Sequence, residues 1–214
     1  MNFPFTTEQF LNVFKFYNLS IWPFQIFLVA LALVAIFFAV YTIKYSGIII
    51  STALSFYWFW MGIVYHFAIF SSINPLAYVF AVLFLFQGFL FFFFGIARES
   101  LSFKFIFNLK GLTAIILFLY ALIFYPLLSY SLGHYYPSTP TFGLPCPTTI
   151  FTFALLLLLE GKINKMLFII PVIWALIGFT AALKLGILQD IGLLVSAILT
   201  ITVSLMNQGI TKKL

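Results

Sequence analysis

Two histidines and one cysteine are the only residues of their kind in this 214-residue chain: His66, His134 and Cys146. Each stands at the end of an apolar run, in Tyr65-His66, in Gly133-His134-Tyr135-Tyr136-Pro137 and in Pro145-Cys146-Pro147-Thr148-Thr149. Imidazole and thiol ligands converging at one depth would suit a soft or borderline metal ion such as Cu(I), Zn(II) or Hg(II). Pro147 reads as the first residue of a helix. That puts the Cys146 thiol at the N-cap, where the dipole makes it a better ligand and nucleophile. The spacing is not that of a paired Cys-x-x-Cys site. The plainer reading has His66 holding a neighbouring helix and Cys146 packing as a small hydrophobe. One cysteine excludes an internal disulfide. The four acids are scattered, which leaves no carboxylate pair for hydrolysis, and no glycine-rich phosphate loop is present. Enzymatic chemistry is the less favoured class.

The elements that must position these groups are set by composition. The chain is 64% hydrophobic, 21% aromatic and 7% charged, where soluble domains carry roughly 25% charged residues. Such a chain cannot coat a water-facing surface, and its formal +6 comes from ten scattered cations, so a nucleic-acid partner is excluded. Seven apolar stretches approach the ~20 residues a bilayer core requires: 20–43, 47–70, 75–97, 111–132, 144–159, 166–183 and 191–206. Period-two alternation is absent, so these are helices and not barrel strands. The expectation is an all-α, polytopic membrane protein of one domain, 1–214, with seven transmembrane helices. The fifth stretch is the weakest. The first lacks a basic start and a small-residue cleavage site, and so reads as a retained span.

Before that span, Thr6 and Gln9 stand at capping-box spacing, and Glu8 suits the first turn of a helix. Residues 1–19 therefore read as an interfacial helix on the outer face. Lys44, Arg98, Lys104, Lys110, Lys162, Lys165, Lys212 and Lys213 fall on one side and Lys15 and Lys184 on the other. This positive-inside bias predicts the N-terminus outside and the C-terminus in the cytoplasm, with His66, His134 and Cys146 all on the outer face.

Polar residues inside the spans are the next candidates. Gln87 lies among phenylalanines and must find a partner within the bundle, as helix glue or as a solute contact. Tyr65, Asn74, Tyr136 and Thr149 join it as candidate solute-binding residues. Asp190 reads as the cap of the last helix, or as part of an outer site with Glu8. Gly192, Ser196, Thr200 and Ser204 recur every four residues and form a close-packing stripe through which oligomerisation is also conceivable. Pro126 and Pro171 each free a backbone carbonyl, giving kinks or a cavity. Trp22, Tyr65, Tyr130, Tyr135 and Tyr136 form an outer aromatic belt. Residues 23–31 and 147–155 align at five of nine positions. That alignment is compatible with a parallel 3+1+3 repeat, a layout shared with small sugar transporters whose Pro-Gln motif is absent here.

Thr7-Glu8-Gln9-Phe10, Ile21-Trp22-Pro23, Tyr65-His66, Ile73-Asn74-Pro75, Tyr125-Pro126, Gly133-His134, Tyr136-Pro137 and Pro145-Cys146-Pro147-Thr148-Thr149 together resemble the domain of unknown function 6064 family. The similarity also covers 171–178 and Asp190-Ile191-Gly192, and so nearly the whole chain. It implies a multi-pass protein of the bacterial inner membrane whose pattern includes His66, His134 and the Pro-Cys-Pro-Thr segment, and it supplies no substrate. Three functions follow for a protein whose first partner is the lipid bilayer. A transporter or binding protein for a small solute or ion predicts a cavity reaching Gln87 from the outer side. Metal or thiol chemistry predicts His66, His134 and Cys146 around one point. A sensor or assembly partner predicts a closed core.

Overall fold

The computed structural model describes residues 4–161 and 164–211, and every regular element within them is a helix. The Thr6 hydroxyl accepts from the Gln9 amide at 3.2 Å while the Gln9 side chain accepts from the Thr6 amide at 2.8 Å. This capping box starts α1 (Thr7–Ile21) where the sequence places it. α1 buries Val13, Phe14, Tyr17 and Asn18 on one face. Past Trp22-Pro23, α2 (Phe24–Val40) departs at 87°, the angle between a helix lying on a membrane surface and one descending into it.

α3 (Ser46–Ser72), α4 (Ala77–Ala97) and α5 (Leu109–Ser131) follow. Then come α6 (Pro145–Leu157), α7 (Met166–Leu185) and α8 (Ile191–Thr211), the last entered through a short turn, Leu188–Asp190. Among the described residues, α3, α4, α5, α7 and the rod Leu188–Met206 are long and apolar enough to cross a membrane. The exposed surface carries Phe37, Val82, Phe86, Ile116, Leu176, Ile198 and many like them, which suits a lipid environment. The other two expected spans are shorter. α2 has 17 residues, about 25 Å at ~1.5 Å per residue, and it reaches span length only when α1 and α2 are taken as one bent pair.

α6 has 13 residues, about 20 Å, and the reason for its brevity is its position. Twelve of the 13 are buried and Cys146 is half-buried, so α6 is the central helix, wrapped by α5, α7 and α8. A helix that is apolar all round belongs in the core. Its hydroxyls are absorbed locally: the Thr148 hydroxyl accepts from the Gly143 amide at 3.0 Å, and Thr152 donates to the Thr148 carbonyl at 2.9 Å. Gly143 sits at φ +100, and a Cβ there would strike Leu28. Beyond α6 the chain turns at Leu158 and pairs with the 99–108 connection through an isolated bridge, Phe103 to Leu159. The Lys104 amide bonds the Leu158 carbonyl and the Glu160 amide bonds the Ser102 carbonyl, each at 2.9 Å. The 99–108 connection thus folds back into the bundle, burying Leu101 and Phe103.

Lys44, Arg98, Lys104, Lys110 and Lys165 follow or precede helix ends at this side of the bundle, while Lys15 and Lys184 belong to the other. Lys162, Lys212 and Lys213 lie outside the described residues. Residues 23–31 and 147–155, which align in sequence, occupy different surroundings, since α2 exposes Ile26, Phe27 and Val29 where α6 is enclosed. The stripe on α8 points inward. Ser196, Thr200 and Ser204 are buried, and a Cβ at Gly192 would run into the Tyr120 ring.

The two prolines are accommodated differently. In α5 the helix widens to a π-turn over Tyr120–Phe124 just before Pro126. In α7 the helix runs through Pro171. Pro171 has no amide hydrogen to offer Leu167 four residues earlier, and Gln87 supplies the missing donor, its Nε2 lying 3.1 Å from the Leu167 carbonyl oxygen.

A candidate site at the start of the central helix

The first residues of α6 form the floor of a cavity of about 540 Å³, within the roughly 300–1,000 Å³ typical of small-molecule sites. Phe5, Phe10 and Phe14 come from α1 and the segment before it, Tyr65 and Phe70 from α3, and Asn74, Leu76 and Phe80 from α4 and its approach. Leu144, Pro145, Cys146 and Pro147 bring the floor, and Trp174, Ile177, Gly178, Thr180, Ala181 and Leu185 the α7 wall. Asp190 closes the ring. The roof is aromatic. Phe5 and Phe10 meet Phe70 at 5.6 and 5.8 Å between ring centroids, and Phe10 meets Phe14 at 4.6 Å.

Polar groups gather at the floor. Asp190 is 4% exposed, and Glu8, Glu99 and Glu160 are all on the surface, so it is the one buried acid of the four. The Tyr125 hydroxyl donates to its Oδ1 in a short hydrogen bond, and the Cys146 thiol is its other neighbour. Tyr65 stands close to both Asp190 and Cys146. The Trp174 indole N–H approaches the Cys146 sulfur without reaching hydrogen-bond geometry, and it has no other acceptor. Placement of Asp190 follows from α5: Tyr120 packs on Gly192, where no side chain obstructs it, and donates to the Gln189 carbonyl at 2.7 Å. Gln189 in turn donates to Ser129 at 3.2 Å. The turn before α8 is therefore pinned from two points on α5.

The candidates read from the sequence separate into three groups. Tyr65, Asn74 and Cys146 line the cavity. α6 begins at Pro145, not Pro147, so Cys146 stands in the first turn instead of at the cap, beside a carboxylate. Asp190 turns its carboxylate to Tyr125. Gln87 and Thr149 are fully buried outside the cavity; Gln87 holds Leu167, with its Oε1 unpartnered, and the Thr149 hydroxyl has no partner. Tyr136 is exposed on the 132–144 connection, as are Tyr135 beside it, Tyr130 at the end of α5 and Trp22 after α1; Tyr65, at 2% exposure, is core and not belt.

His66 is fully buried, with neither ring nitrogen partnered. Its ring lies 4.4 Å from Phe84 and 5.1 Å from Trp174, so it sits behind the cavity wall. His134 caps the end of α5 through its amide, 3.0 Å from the Ser129 carbonyl, and partial burial lowers its imidazole pKa below the usual value. No three His, Cys, Asp or Glu side chains among the described residues come close enough to hold one metal ion. Asn18, part of a glycosylation-like triplet, instead bonds the Pro137 and Thr139 carbonyls at 2.7 Å each and accepts from Gln25. The site residues least visible in the sequence are Trp174 and Tyr125. The usable signal was Asp190, a lone acid opening an apolar run.

A model described as a family of unknown function, DUF6064, matches residues 7–213. No curated protein and no solved structure matches the chain.

Proposed function

The chain belongs to the DUF6064 family, and we propose that it is a membrane-embedded binding protein for a small, mainly apolar solute carrying one polar group. The observation that carries this reading is the cavity at the α6 N-terminus, mostly apolar in its walls, with Asp190 and Cys146 together at its floor. Apolar walls would contribute affinity by burying the solute's hydrocarbon, while Asp190, Cys146 and the Trp174 N–H would orient its polar end. Seven crossings serve this reading best, with α2 as a minimal span and α6 with its continuation as a broken one. Five described cations lie at the end away from the cavity and two at the cavity end, which supports a cavity on the extracytoplasmic side. The cavity stops at Phe80 and Trp174, two helical turns short of Gln87. Passage of the solute across the membrane would require the layer formed by Phe84, Trp174 and Gln87 to part.

The test uses dodecanol as probe, titrated into wild type and Ala181→Phe in lipid nanodiscs while tryptophan fluorescence is followed. Ala181 is half-buried on the cavity wall, so the larger ring fills the space without entering the core. Saturable binding to wild type, abolished in Ala181→Phe, is the expected result. Equal response of both proteins would overturn the reading.

A further inference from the structure

Resting on this binding reading, we infer that the solute is a lipid-dissolved amine, which passes between α4 and α7 from the bilayer and sets its ammonium group against Asp190. The route is written in the rim. Toward the aqueous side the cavity is roofed by Phe5, Phe10 and Phe70, whose rings contact one another. Along the α4–α7 seam the lining residues Leu76, just before α4, and Thr180 are instead exposed, Leu76 at 59%. Farther down, the same seam is shut by Phe84 against Trp174 at 5.0 Å and by Gln87 on Leu167. The open stretch of the seam therefore faces hydrocarbon, and a molecule using it must be soluble there.

The charge follows from the floor. A carboxylate removed from water is costly unless it is paired and hydrogen-bonded. Among the described residues, the groups hydrogen-bonded to Asp190 are a tyrosine hydroxyl and a thiol, and neither carries positive charge. These two donors leave part of the carboxylate's acceptor capacity, about four lone-pair sites, unused. An ammonium supplies the compensating charge and up to three donors, whereas an anion would meet like charge and a neutral alcohol would supply one donor. Trp174 is 8% exposed with its indole N–H unpartnered. Trp174 also lines the cavity; its N–H, a donor, is left to an acceptor elsewhere on the solute, since an ammonium has none.

Four probes separate the possibilities: dodecylammonium, dodecanol, dodecanoate and ethylammonium, each titrated into the full chain in nanodiscs of uncharged lipid. Dodecylammonium is expected to bind about tenfold more tightly than dodecanol, the size of one charge-assisted hydrogen bond, with dodecanoate weakest. Ethylammonium, which has no chain to fill the walls, is expected not to bind. Asp190→Asn should bring the ammonium down to the level of the alcohol while dodecanol binding persists, which also reports that the variant is folded. Tyr125→Phe removes a donor that competes for the carboxylate and should raise the ammonium preference. Equal binding of ammonium and alcohol to wild type, a preference that survives Asp190→Asn, or tight binding of ethylammonium would overturn the inference. In each of those cases dodecanol binding that is lost in Ala181→Phe leaves the binding reading standing. Absence of saturable binding by every probe overturns both.

Discussion

The seam between α4 and α7 is closed along its inner half and open along its outer half, although aromatic residues build both. In the inner half the rings interlock and the backbone group freed by proline is paired, although the Gln87 Oε1 and both His66 ring nitrogens have no partner there. Phe84 stands edge-on to Trp174 at 89° between ring planes, and the carbonyl that Pro171 leaves free receives Gln87. In the outer half Phe80 still meets the Trp174 ring, 5.5 Å between centroids, and Ile177 and Ala181 line the cavity beyond that contact. Polar groups there remain incompletely matched, Asp190 to neutral donors only and Trp174 to no acceptor. Trp174 belongs to both halves, its ring closing one and its N–H facing the other. What the difference teaches is that closure in this bundle is obtained chiefly by interlocking rings, with the Gln87–Leu167 hydrogen bond beside them. Beyond the Phe80–Trp174 contact the same two helices line the cavity.

The strongest way to break the contrast is to truncate the closed half. Phe84 is 1% exposed and touches Trp58, His66 and Trp174, so Phe84→Ala should cost about 3–5 kcal/mol of unfolding free energy, read by denaturant titration in detergent. The corresponding truncation of the roof, Phe10→Ala, removes a half-buried ring and should cost less than half as much. Equal costs would mean that the outer half is packed as tightly as the inner.

The polar pair offers a sharper test. Gln87→Ala should destabilise by about 1–2 kcal/mol because it strands the Leu167 carbonyl in the bundle. In a Pro171→Ala background the helix regains its own amide donor for that carbonyl. Loss of Gln87 should then cost less than half of that, a coupling readable in a double-mutant cycle. Additive costs would show that Gln87 and Pro171 act independently.

Smaller effects are expected in the open half. Ala181→Phe should shift stability by no more than about 1 kcal/mol while removing probe binding. Cys146, half-buried on the cavity floor, should react with N-ethylmaleimide, which dissolves in lipid, faster than with a permanently charged methanethiosulfonate. Saturating dodecylammonium should slow the maleimide reaction. Faster labelling by the charged reagent would place the opening on the aqueous side.

Much of this fold was legible in the residues. The capping box at Thr6 and Gln9, the long apolar helices and the need of Gln87 for an internal partner all depend on local chemistry, and the structure shows each of them. The lengths of α2 and α6 were harder to read, because hydropathy records that a segment avoids water and not whether lipid or protein covers it. Nearly all of α6 is covered by protein, and its apolar run goes on past the helix only through Leu158 and Leu159. The candidate site was half legible. Tyr65, Asn74 and Cys146 carried visible signals, and so did Asp190, though its reading as a helix cap competed with the pairing to Tyr125 that the fold brings about across 65 positions. His66 illustrates the opposite error, since a rare residue type at the end of a span drew attention while the fold placed it in an aromatic cage behind the site.

The most direct single measurement is photolabelling with a dodecylamine that carries a diazirine near its tail, in nanodiscs, followed by peptide mapping. Saturable labels on the segments holding Phe10 and Phe14, Phe80, and Trp174 to Ala181, competed away by dodecylammonium and absent in Ala181→Phe, are the expected outcome. Labels confined to the lipid-facing residues of α2, such as Phe27 and Phe37, and undiminished by competitor, would contradict a binding cavity at the start of the central helix.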